Sequence, residues 1–380
     1  MKRKISVTTG TRAEYGLLRP LLEEISNSKK LELKLIVAGM HLSKKYGYSI
    51  NEIKKDDFSI VGKIKMIPKN DTNFDMSIAL ANGILDFSKI FKKIKPDINV
   101  ILGDRDEALA SAMAAYHMNI PNAHIHGGDK TQAGIDEYNR HAITKISNIH
   151  FAVSKKSQER ILKMGENPRY VFLTGSPGID DVISKRFTPK QILEQKIGFP
   201  IMGDEIILLY HPVTTQSGKS RKEIKNIMEA ILRLKKNTIC ISPNSDAGRN
   251  AIFDHIQKFS NKKFIHIFNN LPRSDFLGLL NTCGVLVGNS SSGMIEASYF
   301  PINVVNVGIR QKDRERGSNV IDVSSDSSNL IYKTIKSSLL RKNNFKIQYI
   351  YGKNKPSKKI TNILEKIILN QKLIQKQIVY

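Results

Sequence analysis

The sequence predicts an α/β protein made of two parallel-sheet halves in tandem. Short β-branched runs alternate with longer helical patterns, the signature of parallel strands joined by crossover helices. The alternation breaks once, over 175–204 with Pro177, Pro189 and Pro200, and then resumes. Polar motifs rich in glycine, acids and serine fall directly after the strand runs, where open parallel sheets bind ligands. With 380 residues, 40% of them hydrophobic, the chain is long enough for two cores.

In chain order, the first half has candidate strands at 5–9, 33–37, 98–102, 123–126, 149–153 and 171–174. The segment 75–94 places Ile78, Ala81, Leu85 and Phe91 at helical spacing, and Pro96-Asp97 stops it before the next strand. A helix is expected over 137–147. The second series has strands at 206–210, 238–242, 264–267, 285–287 and 303–307, with a helix over 223–234 and helical patterning over 294–299. The last segment, 356–377, alternates Lys with Ile and Leu as one terminal helix. The expected division is 1–180, 181–355 and a C-terminal helix in 356–380.

Charge bounds the partners. Sixty Lys+Arg against 35 Asp+Glu give +25, with a pI near 9.8, so a polyanion or a phosphorylated small molecule is the natural ligand class. Trp is absent, and the Lys doublets, from Lys29-Lys30 to Lys262-Lys263, are spread along the whole chain. That spread reads as solvated helix faces, so no nucleic-acid partner is expected. Cys240 and Cys283 have no second ligand at metal spacing, which fits a reducing cytoplasm without disulfides or zinc. The apolar run 5–9 is too short for a signal peptide, and no run approaches a membrane span of roughly 18 residues.

Gly288-Asn289-Ser290-Ser291-Ser292-Gly293 leaves a strand and enters a helical pattern, offering N–H groups, hydroxyls and a helix dipole to a phosphate. An N-cap explains one serine; three between glycines point to phosphate. Glu296, one turn on, is either an acceptor for ribose hydroxyls or a surface acid. Gly10-Thr11-Arg12 makes a second anion-binding turn. Arg310 follows a strand, with a solvated loop as its default reading, and His211 before Pro212 either caps structure or faces a diphosphate. The acid/base candidates are Asp104, His126, Asp129, Asp136 and Glu137. Taken singly, Asp104 beside Arg105 reads as a loop ion pair, and Asp136-Glu137 as acids at a helix start. Together they place proton-transfer groups on one strand-end rim.

Six motifs in order carry a resemblance. Gly-Thr-Arg-Ala-Glu-Tyr-Gly-Leu (10–17), Gly-Asp-Arg (103–105), His-Ile-His-Gly-Gly (124–128), Arg-His-Ala-Ile-Thr-Lys (140–145), His-Pro-Val-Thr-Thr (211–215) and Gly-Asn-Ser-Ser (288–291) resemble the hydrolysing UDP-N-acetylglucosamine 2-epimerases. The likeness runs from Ile5 to about Val323. The nonhydrolysing branch is similar but typically has Pro where Ala13 stands. The resemblance implies two Rossmann-like domains of GT-B type, a UDP-sugar in the cleft, no metal or redox cofactor, and a dimer or higher homo-oligomer; no membrane partner is expected, from the lack of a long apolar run. Matching positions make Arg12, His211, Ser290, Ser291, Glu296 and Arg310 nucleotide and diphosphate contacts, and Asp104 and Asp136 catalytic, with Glu137 beside them. His126 and Asp129 depart from the pattern, standing where many members carry Glu.

His126, with one more residue between Gly127-Gly128 and the following acids, resembles the subgroup acting on UDP-N,N′-diacetylbacillosamine for legionaminic-type sugars. Gln132-Ala133-Gly134 lies in that longer connection. Both UDP-sugars stay open as substrates. A GT-B glycosyltransferase or a nonhydrolysing epimerase is the alternative, because fold alone does not fix chemistry.

Overall fold

The computed structural model describes residues 2–70, 72–132, 134–243, 246–341 and 347–379, so Ala133 lies outside the described residues. The chain forms two compact units. Unit 1 is Met1–Asp129, Asp136–Ile183 and Tyr351–Tyr380; unit 2 is Lys130–Ile135 and Ser184–Ile350.

Unit 1 holds a seven-stranded parallel sheet in the order β3-β2-β1-β4-β5-β6-β7. The strands are β1 Arg3–Thr9, β2 Leu31–Ala38, β3 Ile60–Ile64, β4 Ile98–Leu102, β5 Asn122–Ile125, β6 Ile149–Ala152 and β7 Val171–Leu173. Every residue of β4, β5 and β6 is buried, as helices on both sides of a parallel sheet require. β3 was not expected. As an edge strand it is mostly half-exposed and contains Gly62, so it lacks the continuous apolar run that marks inner strands.

The Asn73–Ile94 helix begins at Thr72, whose side chain accepts the Asp75 N–H. It buries Ala79, Gly83, Phe87 and Phe91 against Ile36, Met66 and Ala110. Of the expected stripe, only Phe91 is inside; Ile78 and Leu85 are 47% and 56% exposed. The true inward period runs one residue away from the larger side chains.

The C-terminal segment is not a separate helix. It forms two pieces, Pro356–Lys366 and Gln371–Ile374, and completes unit 1. Arg3 donates to Leu364 O, Asn148 Nδ2 to Leu373 O at 2.7 Å, and Val379 N–H to Gly165 O at 2.9 Å. Its charge is received by Glu166, which accepts from Lys376 Nζ at 2.6 Å, Lys145 Nζ at 2.8 Å and His150 Nε2 at 3.0 Å. Burial pushes the Glu166 carboxyl up, but these bonds outweigh it and bring it down to about 2.

Unit 2 holds a six-stranded parallel sheet in the order β10-β9-β8-β11-β12-β13. Its strands are β8 Ile206–Leu209, β9 Thr238–Ile241, β10 Ile265–Phe268, β11 Val285–Gly288, β12 Asn303–Val307 and β13 Val320–Val323. Ile206, Leu208, Val285, Val287 and Val305 pack against Ile224, Ile227 and Ile231 of the Ser220–Leu234 helix. β13, also unforeseen, is again a partly exposed edge strand. The connection 130–135 belongs to this unit: Gln132 N–H donates to Arg310 O at 3.0 Å and Ile135 N–H to Thr214 Oγ1 at 3.1 Å.

Candidate active site

At the carboxyl end of β4, Gly103 turns the chain with φ +78° and delivers Asp104. The adjacent strand fixes this turn: Gly103 N–H donates to Ile125 O at 3.0 Å, and His124 Nε2 donates to Gly103 O at 2.8 Å. His124 is fully buried, which holds its imidazole neutral with a pKa of about 3. Its other nitrogen lies 3.2 Å from Thr144 Oγ1.

Asp104 meets Arg140, which projects from the Ile135–Lys145 helix. Arg140 Nη2 donates to Asp104 Oδ2, while Nη1 donates to Glu137 Oε2 at 2.5 Å and to Asp129 O at 3.2 Å. The guanidinium side chain is 1% exposed, whereas those of Asp104 and Glu137 are 22% and 25% exposed. A buried planar fork therefore orients two carboxylates that both keep access to solvent. Asp136 stands in the first turn of the same helix, largely buried.

β5 ends at Ile125, and His126 takes left-handed backbone with φ +68°, uncommon outside glycine. Its Nδ1 lies 2.9 Å from Asp129 Oδ2 and its Nε2 2.9 Å from Ser176 Oγ, while Asp129 Oδ1 accepts from Ser157 Oγ at 2.7 Å. His126 and Asp129 are both enclosed. These bonds tie the loop 126–129 to Ser157 and Ser176. Gly128 lets that loop lie against the Lys155–Lys163 helix, since a Cβ there would stand 2.3 Å from Ser157 O.

The Gly10 turn meets an acid of its own helix. Gly10 and Thr11 N–H both donate to Glu14 Oε2 at 2.9 Å, and Thr11 Oγ1 accepts the Glu14 N–H at 3.3 Å. This capping box closes the Arg12–Asn27 helix. Arg12 pairs with Glu52. Burial, with nearby Glu107, pushes the Glu14 carboxyl up to about 7.

In unit 2, Gly288 at the end of β11 has φ +144° and approaches β8 so closely that a Cβ would meet Leu209 O at 1.9 Å. The next residue, Asn289, bridges the two strand ends. Its Oδ1 accepts from His211 N–H at 2.7 Å, and its Nδ2 donates to His211 O at 2.8 Å. Its carbonyl accepts from Arg310 Nη1 at 3.3 Å and Gln311 Nε2 at 3.1 Å. Asn289 thus brings His211, Ser290 and Arg310 together. Arg310 is largely buried, not a solvated loop cation.

Ser290 acts as a cap, its Oγ accepting Ser292 N–H at 3.3 Å, with half-buried Ser291 beside it. The expected helix over 294–299 is absent; two 3-10 turns, Ser291–Gly293 and Ala297–Tyr299, take its place. Residues 293–300 are all buried, so packing on every side overrides the amphipathic period, and no extended macrodipole forms. Glu296 is likewise no surface acid: it is 2% exposed, and its Oε1 accepts from Arg273 Nη1 at 2.9 Å.

The family described as UDP-N-acetylglucosamine 2-epimerase matches residues 23–365. The chain belongs to that epimerase family. It is 38% identical over 379 residues to the hydrolysing UDP-N,N′-diacetylbacillosamine 2-epimerase of Legionella pneumophila, covering 99% of each chain. It is 35% identical over 348 residues to the hydrolysing GDP/UDP-N,N′-diacetylbacillosamine 2-epimerase of Campylobacter jejuni, covering 90% of each. The solved UDP-GlcNAc 2-epimerase from Neisseria meningitidis, bound to UDP-GlcNAc, matches 96% of this chain and 100% of that one with a TM-score of 0.79 at 20% identity. That likeness shows the fold, two parallel-sheet α/β units of GT-B type. The protein is an enzyme of the UDP-N-acetylglucosamine 2-epimerase type.

In this epimerase, sequence reasoning missed Arg140, His124 and Asn289 as organisers of the site, although all three lie within the quoted motifs. A signal for Arg140 existed: the buried stripe Asp136, Asn139, Arg140, Ile143 and Thr144 puts a cation on the inward side of its helix. Among the described residues, no group of three or more His, Cys, Asp or Glu is arranged to hold a metal ion. Nor is any described helix long and apolar enough to cross a membrane.

Proposed function

We propose that this epimerase is hydrolysing. It releases UDP from a UDP-linked 2-acetamido sugar and frees the sugar as its manno-configured 2-epimer, for sialic- or legionaminic-type sugar biosynthesis. UDP-N,N′-diacetylbacillosamine is the preferred substrate, with UDP-N-acetylglucosamine second. The observation that carries this reading is the 38% identity to the Legionella enzyme across 99% of both chains.

The C2 proton of such a sugar has no adjacent carbonyl to stabilise a carbanion, so a base removes it only as UDP departs. The C2–H electron pair becomes the C1=C2 double bond, and the C1–O pair leaves with UDP. Water then adds its oxygen at C1, and a proton reaches C2 from the opposite face. One UDP-sugar and one water thus give UDP and the free epimer.

Asp104 is the base, because it stands at the strand end with its side chain still 22% exposed and is oriented by the buried Arg140 guanidinium. Glu137, on the same guanidinium, and the neighbouring Asp136 supply proton transfer on the second face. His126 and Asp129 hold the 126–129 loop through Ser176 and Ser157. Arg12, His211, Ser290, Ser291, Glu296 and Arg310 are the nucleotide and diphosphate groups, with the cations and hydroxyls taking the charge that develops on the leaving group.

The test is to incubate purified protein separately with each UDP-sugar, then measure UDP and the C2 configuration of the product. The expected result is free UDP and a manno-configured sugar, formed faster from the diacetamido substrate. Interconversion of UDP-sugars without UDP release, or transfer to an acceptor with C2 unchanged, sinks the proposal.

A further inference from the structure

The amino-terminal edge of the unit 1 sheet gathers charge that the candidate active site does not use. Arg3 N–H donates to Lys30 O at 2.8 Å and Asp97 N–H to Lys4 O at 2.9 Å, so the starts of β1 and β2 and the residue before β4 lie side by side. The C-terminal piece Pro356–Lys366 closes the group: Arg3 donates to Leu364 O, and Ser28 Oγ to Glu365 Oε1 at 2.7 Å. Ser28 Oγ also accepts the Lys30 and Leu31 N–H groups at 3.0 and 3.1 Å, which shapes the Lys29-Lys30 turn. That doublet therefore lies past the end of the Arg12–Asn27 helix, not on a helix face.

These segments enclose a cavity of about 720 Å³ whose walls include Lys2, Arg3, Lys29, Lys30, Asp97 and Glu365. Its volume lies within the range of small-molecule sites, roughly 300–1,000 Å³. Lys2 Nζ donates to Ser28 O at 3.2 Å and Arg3 to Leu364 O, both neutral acceptors, while Lys29 and Lys30 are exposed. Among the described residues, none of these four cations pairs with a carboxylate. Cations gathered in this way repel one another until an anion joins them. Asp97 and Glu365 limit which anion fits, because they repel a polyanion. Each also keeps one oxygen outside its bond to Lys4 N–H or Ser28 Oγ, able to accept from a hydroxyl. A phosphate monoester of a polyhydroxylated molecule meets both conditions, and its charge of about −2 matches the excess of cations over acids. Asp97 precedes β4 and Gly103 follows it, so the five residues of that strand, about 16 Å, separate the cavity from Asp104.

We propose that this cavity is a second ligand site, which binds the phosphate monoester of a sugar or similar polyol. Glucose 6-phosphate is the probe, titrated by calorimetry into full-length protein saturated with UDP so that the nucleotide groups are occupied. Binding should saturate and be about tenfold tighter than that of inorganic phosphate; glucose should not bind. Lys29→Glu combined with Lys30→Glu should weaken it by about tenfold or more, whereas Lys262→Glu with Lys263→Glu, at another exposed doublet, should leave it unchanged. Asp97→Asn should narrow the preference over inorganic phosphate. In wild-type protein, glucose 6-phosphate should slow acetylation of Lys29 and Lys30, followed by mass spectrometry, and leave that of Lys262 and Lys263 as it was.

The absence of saturable binding overturns the proposal, and so does acetylation of Lys29 and Lys30 that the probe does not slow. Equal affinity for glucose 6-phosphate and inorganic phosphate, or a preference that Asp97→Asn leaves intact, removes the polyol and with it the site proposed. Heparin that binds more tightly than the probe, and is lost in the Lys29→Glu, Lys30→Glu variant, assigns the patch to a polyanion and equally overturns it.

Discussion

The two units share a parallel-sheet plan, yet their strand ends carry opposite chemistry. In unit 1 the chain leaves β4 and β5 through acids: Asp104 and Glu137 gripped by Arg140, and Asp129 locked to His126 and Ser157. In unit 2 it leaves β8, β11 and β12 through a histidine, an amide with serines, and a cation, joined around Asn289. The difference lies in the loops and not in the sheets. Under the proposed function, the acids of unit 1 move protons, while the groups around Asn289 in unit 2 help to hold the leaving anion.

Asp104→Asn should have the largest effect. Turnover should fall by about 10²- to 10⁴-fold, measured as UDP release, while UDP affinity by calorimetry stays within about threefold. Equal losses of binding and turnover would erase the division between the units.

Asn289→Ala should act in the other sense. Losing both bonds to the His211 backbone should weaken UDP binding by about tenfold, about 1.4 kcal/mol. Hydrogen exchange at C2 per sugar released should be unchanged. A change in that ratio would make Asn289 part of the proton chemistry.

A smaller effect sharpens the picture of unit 1. The Glu14 carboxyl rises from an ordinary 4.5 to about 7 on folding. Its stabilising contribution is therefore complete below about pH 4.5 and lost as pH rises through 7. Glu14→Gln keeps the acceptor for Gly10 and Thr11 but removes the titration. Relative to wild type, the variant should gain on the order of 1–3 kcal/mol between pH 4.5 and 7, read from denaturant melts at each pH. A flat difference would show that Glu14 is ionised throughout that range.

The inner strands and the order of the motifs could be read from the residues, because strands buried on both sides leave continuous apolar runs. The edge strands β3 and β13 could not, since half-exposed backbone needs no such run. The Asn73–Ile94 helix was placed correctly but rotated, because its outer side is as apolar as its inner one. At the site, residue types marked the acids and the serines. Which partners they take within the chain depends on pairings distant in sequence: Arg12 with Glu52, Glu296 with Arg273, and His126 with Ser176. Spacing carries no trace of such pairings. The capping box at Gly10 is the exception, since Thr11 and Glu14 stand three residues apart.

The most direct test is to run the reaction in D2O and follow C2 of the released sugar by NMR. Elimination and hydration predict one deuterium at C2 of every product molecule, inverted configuration, and one UDP per sugar. Released sugar that keeps its original hydrogen at C2 would contradict proton transfer by the carboxylates of unit 1.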